Sequence, residues 1–243
     1  MDSPFDREDV RSRLVVGVTL AFASAFPVML LAVRVKLTAG FGFGFLIWNL
    51  FLAWIPLVFA LVLEWGWRRH WPRLKLLMPF AAWLIFFPNS PYLVTDLVHL
   101  QHAPNSPLWF DALILMSMGI AGLLVGYVSL YLVQLVFAAS FGKIRSWIMS
   151  LVVLGLCGFG IYLGRFARYN SWDILSRPRS LLYDVRSVAF EPLSNKRAIA
   201  VSIIFTSFLV VTYGGIVALG QIRVPERDVE TDFEESDGEG GLL

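Results

Sequence analysis

Trp83-Leu-Ile-Phe-Phe-Pro-Asn-Ser-Pro-Tyr-Leu-Val-Thr-Asp-Leu-Val-His99 begins as an apolar run, breaks at Pro88-Asn-Ser-Pro91 and resumes with an acid and an imidazole. In lipid the chain must satisfy its own backbone N–H and C=O groups, so a broken helix survives only where protein or water covers the break. Breaks flanked by ionisable residues are where membrane proteins commonly place binding sites. The stretch therefore predicts a transmembrane bundle and marks a candidate site inside it.

After the break, Ser90 can cap a new helix. Pro91 suits its first position, where a missing N–H leaves no bond unmade. The helix is predicted from Pro91 to about His102. Leu93, Val94, Leu97, Val98 and Leu100 fall on one side, and Tyr92, Asp96 with Thr95, His99 and His102 on the other. Asp96 and His99 are one turn apart and therefore neighbours. The pattern describes a short amphipathic helix at the membrane surface, or a re-entrant segment dipping into it.

Outward from this stretch the chain is apolar. Of its 243 residues 57% are hydrophobic, against about 45–50% for a soluble domain, and only 16% are charged. A span needs about 20 apolar residues. Six are predicted: Leu14–Val33, Phe43–Leu63, Leu74–Phe87, Pro107–Ala138, Trp147–Phe166 and Ala198–Leu219. The expected fold is an all-α, polytopic helical bundle, with the third span broken at Pro88–Pro91. It divides into an N-terminal segment 1–13, a membrane domain 14–222 and an acidic tail 223–243. Ala23-Ser-Ala25 offers a signal-peptide reading of the first span, but the apolar run continues past it to Val33.

The net charge of +2 conceals a split. Residues 224–243 carry eight acids against Arg227, and the remainder carries 19 Lys and Arg against 10 acids. The tail has few apolar residues and reads as a disordered, solvated segment, with an acidic docking arm as the alternative. The basic loops suit anionic head groups. The second loop holds Arg68, Arg69, Arg73 and Lys75, whereas the loop between spans three and four holds no Lys or Arg. By the positive-inside rule both termini are cytoplasmic. Arg168, Arg177, Arg179, Arg186, Lys196 and Arg197 in the fifth loop pull the other way.

Two further segments carry polar residues. Asn105-Ser-Pro107 starts span four and is followed by Asp111, an acid that the helix dipole favours in a first turn. Span five ends Gly160-Ile-Tyr-Leu-Gly-Arg-Phe-Ala-Arg168-Tyr-Asn-Ser-Trp-Asp173, with Arg165 and Arg168 on one face. These arginines can snorkel to head groups, or pair with Asp96, Asp111 or Asp173. In a six-span chain all these residues reach one membrane face. The candidate polar network is Asn89, Tyr92, Asp96, His99, Asp111, Arg165, Arg168, Asn170 and Asp173. Gly122-x-x-x-Gly126 and Gly160-x-x-x-Gly164 allow close helix approach.

At Pro88–His99, Trp109-Phe-Asp111 and Gly160–Asp173 the chain resembles a bacterial integral-membrane family catalogued as domain of unknown function 1361. The resemblance spans about residues 45–215. It implies a multi-pass protein of the bacterial cytoplasmic membrane with no established activity. It also implies that Asn89, Pro91, Asp96, His99, Asp111, Arg165, Asn170 and Asp173 belong to the family pattern.

Three function classes remain. A binding or assembly module ranks first, with the lipid bilayer, a lipid or small molecule, or a membrane-protein partner as its ligand. A membrane-embedded enzyme follows, with His99 as a base oriented by Asp96, or with Asp96, His99, His102 and Asp111 as metal ligands. A small-solute transporter is third, because no chain of charges crosses the spans. The single Cys157 excludes an intrachain disulfide and a Cys-based zinc site. No His-Glu-x-x-His, nucleophile elbow or phosphate loop occurs. No metal, cofactor or nucleic-acid partner is expected. The topology has a direct test. Single cysteines placed at Asn105 and Ser236 should label from opposite sides of the membrane, and labelling from one side only would overturn the arrangement.

Overall fold

Helix α5 (Leu108–Phe141) is the most buried of six helices long and apolar enough to cross a membrane. The computed structural model describes residues 4–38, 42–102, 106–169, 173–191 and 194–221. The acidic tail and Asn170 lie outside the described residues. Around α5 stand α1 (Pro4–Thr38), α2 (Phe45–Arg68), α3 (Arg73–Phe86), α6 (Lys143–Arg165) and α9 (Lys196–Leu219). Among the described residues there is no strand. The chain is an integral membrane protein of the predicted all-α, six-span class, and its bent third span runs Arg73–Gln101. Most helices overrun the apolar stretches by about a turn. At about 1.5 Å per residue, α1 and α5 are longer than a bilayer's hydrocarbon core is thick. Helix α1 reaches back to Pro4, through the charged segment that the sequence set apart.

The break occurs where expected, with a different local geometry. A short helical turn, α4 (Asn89–Tyr92), follows Phe87 and leads into a 3₁₀ helix at Leu93–His102. The predicted segment is thus 3₁₀ rather than α-helical, and it continues the span inside the bundle. Ten residues is long for a 3₁₀ helix, and tertiary contacts hold it in place. Leu93 is fully buried among Ile114, Leu115 and Met118 of α5. Ser90 does not act as a helix cap. Its hydroxyl donates instead to the Ala53 carbonyl of α2, at 2.7 Å. Asn89 Nδ2 donates to the Phe86 carbonyl (2.9 Å), and the Ser90 amide to that of Phe87 (3.2 Å). In this way the carbonyls of Phe86 and Phe87 at the break find donors, as lipid requires.

Both glycine motifs serve the break. On α5, a methyl group at Gly122 would overlap the Ser90 carbonyl oxygen. One at Gly126 would come within 2.9 Å of the Ser90 side chain, and one at Gly119 within 3.3 Å of the Val94 backbone. On α6, Gly160 faces Pro88, and Gly164 would meet the Tyr92 ring at 3.0 Å. The broken segment is clamped between two helix faces with no side chains in the way. Helix α1 is held at each end by charge. Arg13 pairs with Glu64 of α2 near one end, and Arg34 with Asp111 of α5 near the other.

The clamp yields a stability prediction. Gly122→Ala should destabilise the protein by about 1–3 kcal/mol, the usual penalty for overpacking a filled contact. Gly155→Ala, where nothing lies within 4 Å, should be neutral or slightly stabilising. Thermal melting in mild detergent compares the two, and equal effects would show that the glycine face carries no tight contact.

Candidate functional site

Asp96 lies on the 3₁₀ segment and is 1% exposed, and every partner it has comes from its own turn or a neighbouring helix. Asn49 of α2 donates to Asp96 Oδ2 at 2.9 Å. Arg165, the last residue of α6, donates through Nη2 to Asp96 Oδ1. The same guanidinium donates to Thr95 Oγ1 through Nε (3.0 Å) and Nη2 (2.7 Å). Thr95 spends its own proton on the Tyr92 carbonyl, 2.7 Å away, so its lone pairs face the arginine. The guanidinium carbon sits 4.6 Å from the centre of the Tyr92 ring, a cation–π contact. The segment that follows the break therefore meets α6 through a single cation.

His99 completes the cluster. Arg165 Nη1 lies 3.2 Å from His99 Nε2. Arginine only donates, so Nε2 must accept and the ring proton sits on Nδ1. Asp96 Oδ1 is 4.0 Å from the same nitrogen, too far for a hydrogen bond. The His99 ring also stacks at a tilt on Phe45, with centroids 4.8 Å apart.

The other predicted residues divide into separate groups. Asp111 is fully buried and pairs with Arg34 of α1, Nε to Oδ1 at 2.6 Å and Nη2 to Oδ2 at 3.2 Å. Arg34 also lies 4.3 Å above the Phe43 ring. Asp173 differs from the expected pairing with Arg165 or Arg168. It accepts from Ser176 (2.8 Å) and from Arg177 (3.1 Å), because the short helix α7 (Asp173–Ser176) places Arg177 one turn away. Arg168 lines the cavity described below and has no ion-pair partner among the described residues. Sequence reasoning missed Asn49 and Arg34. Each is a polar side chain within or at the end of an otherwise apolar helix, and that was the available signal.

Beside the cluster is a cavity of about 570 Å³ between α2, the broken third span and α6. Part of its lining is polar: Asn89, Asp96, His99, Arg165 and Arg168. Part is apolar, with Leu52, Leu84, Ile85 and Leu163. Leu181 of helix α8 (Pro178–Phe190) and Tyr169 also line it. The Tyr169 hydroxyl donates to Asp184 of α8 at 2.9 Å, and that bond raises the phenol above its ordinary range. Among the described residues no three His, Cys, Asp or Glu side chains gather as a metal site would need.

A family described as protein of unknown function (DUF1361) matches residues 48–212, more than half of the chain. The chain belongs to the DUF1361 family. The matched region holds Asn49, the break, Asp96, Asp111 and Arg165, while α1 with Arg34 lies before it. No curated protein and no solved structure matches the chain.

The Asp96–Arg165 pair predicts a stability difference. Asp96→Asn leaves a mostly buried guanidinium without its counter-charge, so stability should fall by about 3–5 kcal/mol. Asp184→Asn keeps an acceptor for the Tyr169 hydroxyl, so it should change stability by less than about 1 kcal/mol. Melting in detergent decides between them, and equal, negligible effects would mean that both acids are simply solvated.

Proposed function

We propose that this protein is a binding module of the bacterial cytoplasmic membrane, with both termini cytoplasmic and its pocket open at the non-cytoplasmic face. The ligand is a lipid or another small amphiphile. One observation carries the reading: the same cavity is lined by polar groups built on Asp96 and Arg165 and by apolar leucine and isoleucine side chains. Its volume falls within the roughly 300–1,000 Å³ typical of small-molecule sites. A molecule with a polar head and an apolar body matches both kinds of lining, and a membrane supplies such molecules.

The engagement of the polar groups favours binding over catalysis. Each acid proposed as a metal ligand is already taken, Asp96 by Arg165 and Asp111 by Arg34. A carboxylate committed to arginine is a poor ligand and a poor base. His99 presents Nε2 to an obligate donor, so that nitrogen is not available to take a proton from a substrate. A bound substrate would have to displace Arg165 before either group could act.

Native mass spectrometry of protein extracted in mild detergent tests the proposal. Wild-type protein should carry an adduct of one membrane-derived molecule. Leu163→Trp, which enlarges an apolar side chain of the lining, should lose the adduct while keeping its melting temperature within a few degrees. Identical spectra, with or without an adduct, would sink the reading. Stoichiometric zinc, iron or manganese in place of an organic adduct would put the enzyme reading first.

A further inference from the structure

The pocket's charges do not cancel. Arg165 is neutralised by Asp96, and His99 accepts from Arg165 and so carries no proton on Nε2. That leaves Arg168, an exposed residue that lines the cavity and has no carboxylate partner among the described residues. Its backbone adds a second observation. Arg168 adopts φ = 60°, the left-handed region that glycine or asparagine normally occupies just beyond a helix end. A strained residue at a pocket is a reason to look for function there. Glycine would relieve the strain, but only arginine adds a guanidinium to the cavity lining.

We infer that the cavity selects an amphiphile with an anionic phosphate head group, and that Arg168 is the residue that binds the phosphate. This rests on the pocket-binding reading and narrows its ligand class. The guanidinium is planar and always charged, and its forked donors match two phosphate oxygens at once. Arg165 is already committed to Asp96, Thr95 and His99, so it shapes the polar lining and leaves the anion to Arg168. The phosphate would sit beside Arg168. The acyl part would follow Leu84, Ile85 and Leu163 into the bundle.

The test uses full-length protein in detergent and three probes: dioctanoyl phosphatidic acid, dioctanoylglycerol with the same tails and no anion, and inorganic phosphate. Phosphatidic acid should bind at least about tenfold more tightly than dioctanoylglycerol, the loss expected when one charged hydrogen-bonded pair is removed. Arg168→Gln should erase that preference. Arg168→Gly is the sharper variant. Removing the left-handed side chain should leave the unliganded melting temperature unchanged or higher, while phosphatidic acid binding falls about tenfold. Weak competition by inorganic phosphate would identify the lipid head group as the source of the anion. Competition at equal concentration would identify free phosphate and retain Arg168 as the anion site. Equal binding of dioctanoylglycerol and phosphatidic acid, or unchanged affinity in Arg168→Gln, would overturn the inference and leave the pocket reading standing. If none of the probes binds, the inference falls, and the adduct measurement alone judges the broader reading.

Discussion

A helix broken inside a membrane has to be sealed by protein, and most of the architecture follows from that need. Two prolines at the break remove two donors, so nearby carbonyls need new partners. Asn89 and the Ser90 amide supply them locally, and the Ser90 hydroxyl ties the break to α2. Tight closure also needs neighbouring helices to come near, and glycine allows it. Gly119, Gly122 and Gly126 of α5 approach from one side, and Gly160 and Gly164 of α6 from the other. The site is a by-product of the same closure. By bringing α6 against Pro88 and Tyr92, the glycines set Arg165 over the 3₁₀ segment, within reach of Thr95, Asp96 and His99.

Charge then fixes how the helices stand relative to one another. Arg34–Asp111 joins α1 to α5, Arg13–Glu64 joins α1 to α2, and Arg165–Asp96 joins α6 to the broken span. Burying two charges is costly, and their attraction roughly offsets the loss of water, so such pairs add little net stability. Their effect lies in the penalty for wrong arrangements. A slip of one turn along α1 would leave Asp111 buried without a cation. A comparable slip of α6 would do the same to Asp96. Dispersion and the apolar core around Trp83, Leu130 and Ile161 supply the cohesion, and the ion pairs select the register.

The cavity lies where these constraints leave space. The glycines of α6 hold that helix against Pro88 and Tyr92, and the cavity is lined by residues of α2, the broken third span and α6. Its lining is mixed because two kinds of sequence meet there: apolar span residues, and the polar residues of the resumed third span and the end of α6. Helix α8 lines the cavity through Leu181 and is tied to the end of α6 by the Tyr169–Asp184 hydrogen bond. Its outer face presents Leu182, Tyr183 and Phe190 beside Arg179 and Arg186, a composition suited to the head-group layer of a membrane.

The sequence alone determined the six spans and the position of the break, because hydropathy and proline act locally. It also showed Asp96 and His99 as neighbours, since that follows from helical spacing alone. Partner choice was a tertiary matter. Nothing local indicates that Asp96 takes Asn49 of α2 as well as Arg165, or that Asp111 takes Arg34, a residue 77 positions earlier. Asp173 went to Arg177 because a short helix put that arginine nearer than any on α6. The 3₁₀ winding after the break was equally invisible in the sequence. The apolar pattern of Leu93–His102 fits an α-helix, and packing against α5 and α2 overrode it. Contacts between helices depend on how closely their backbones approach, and glycines distant in sequence set that distance.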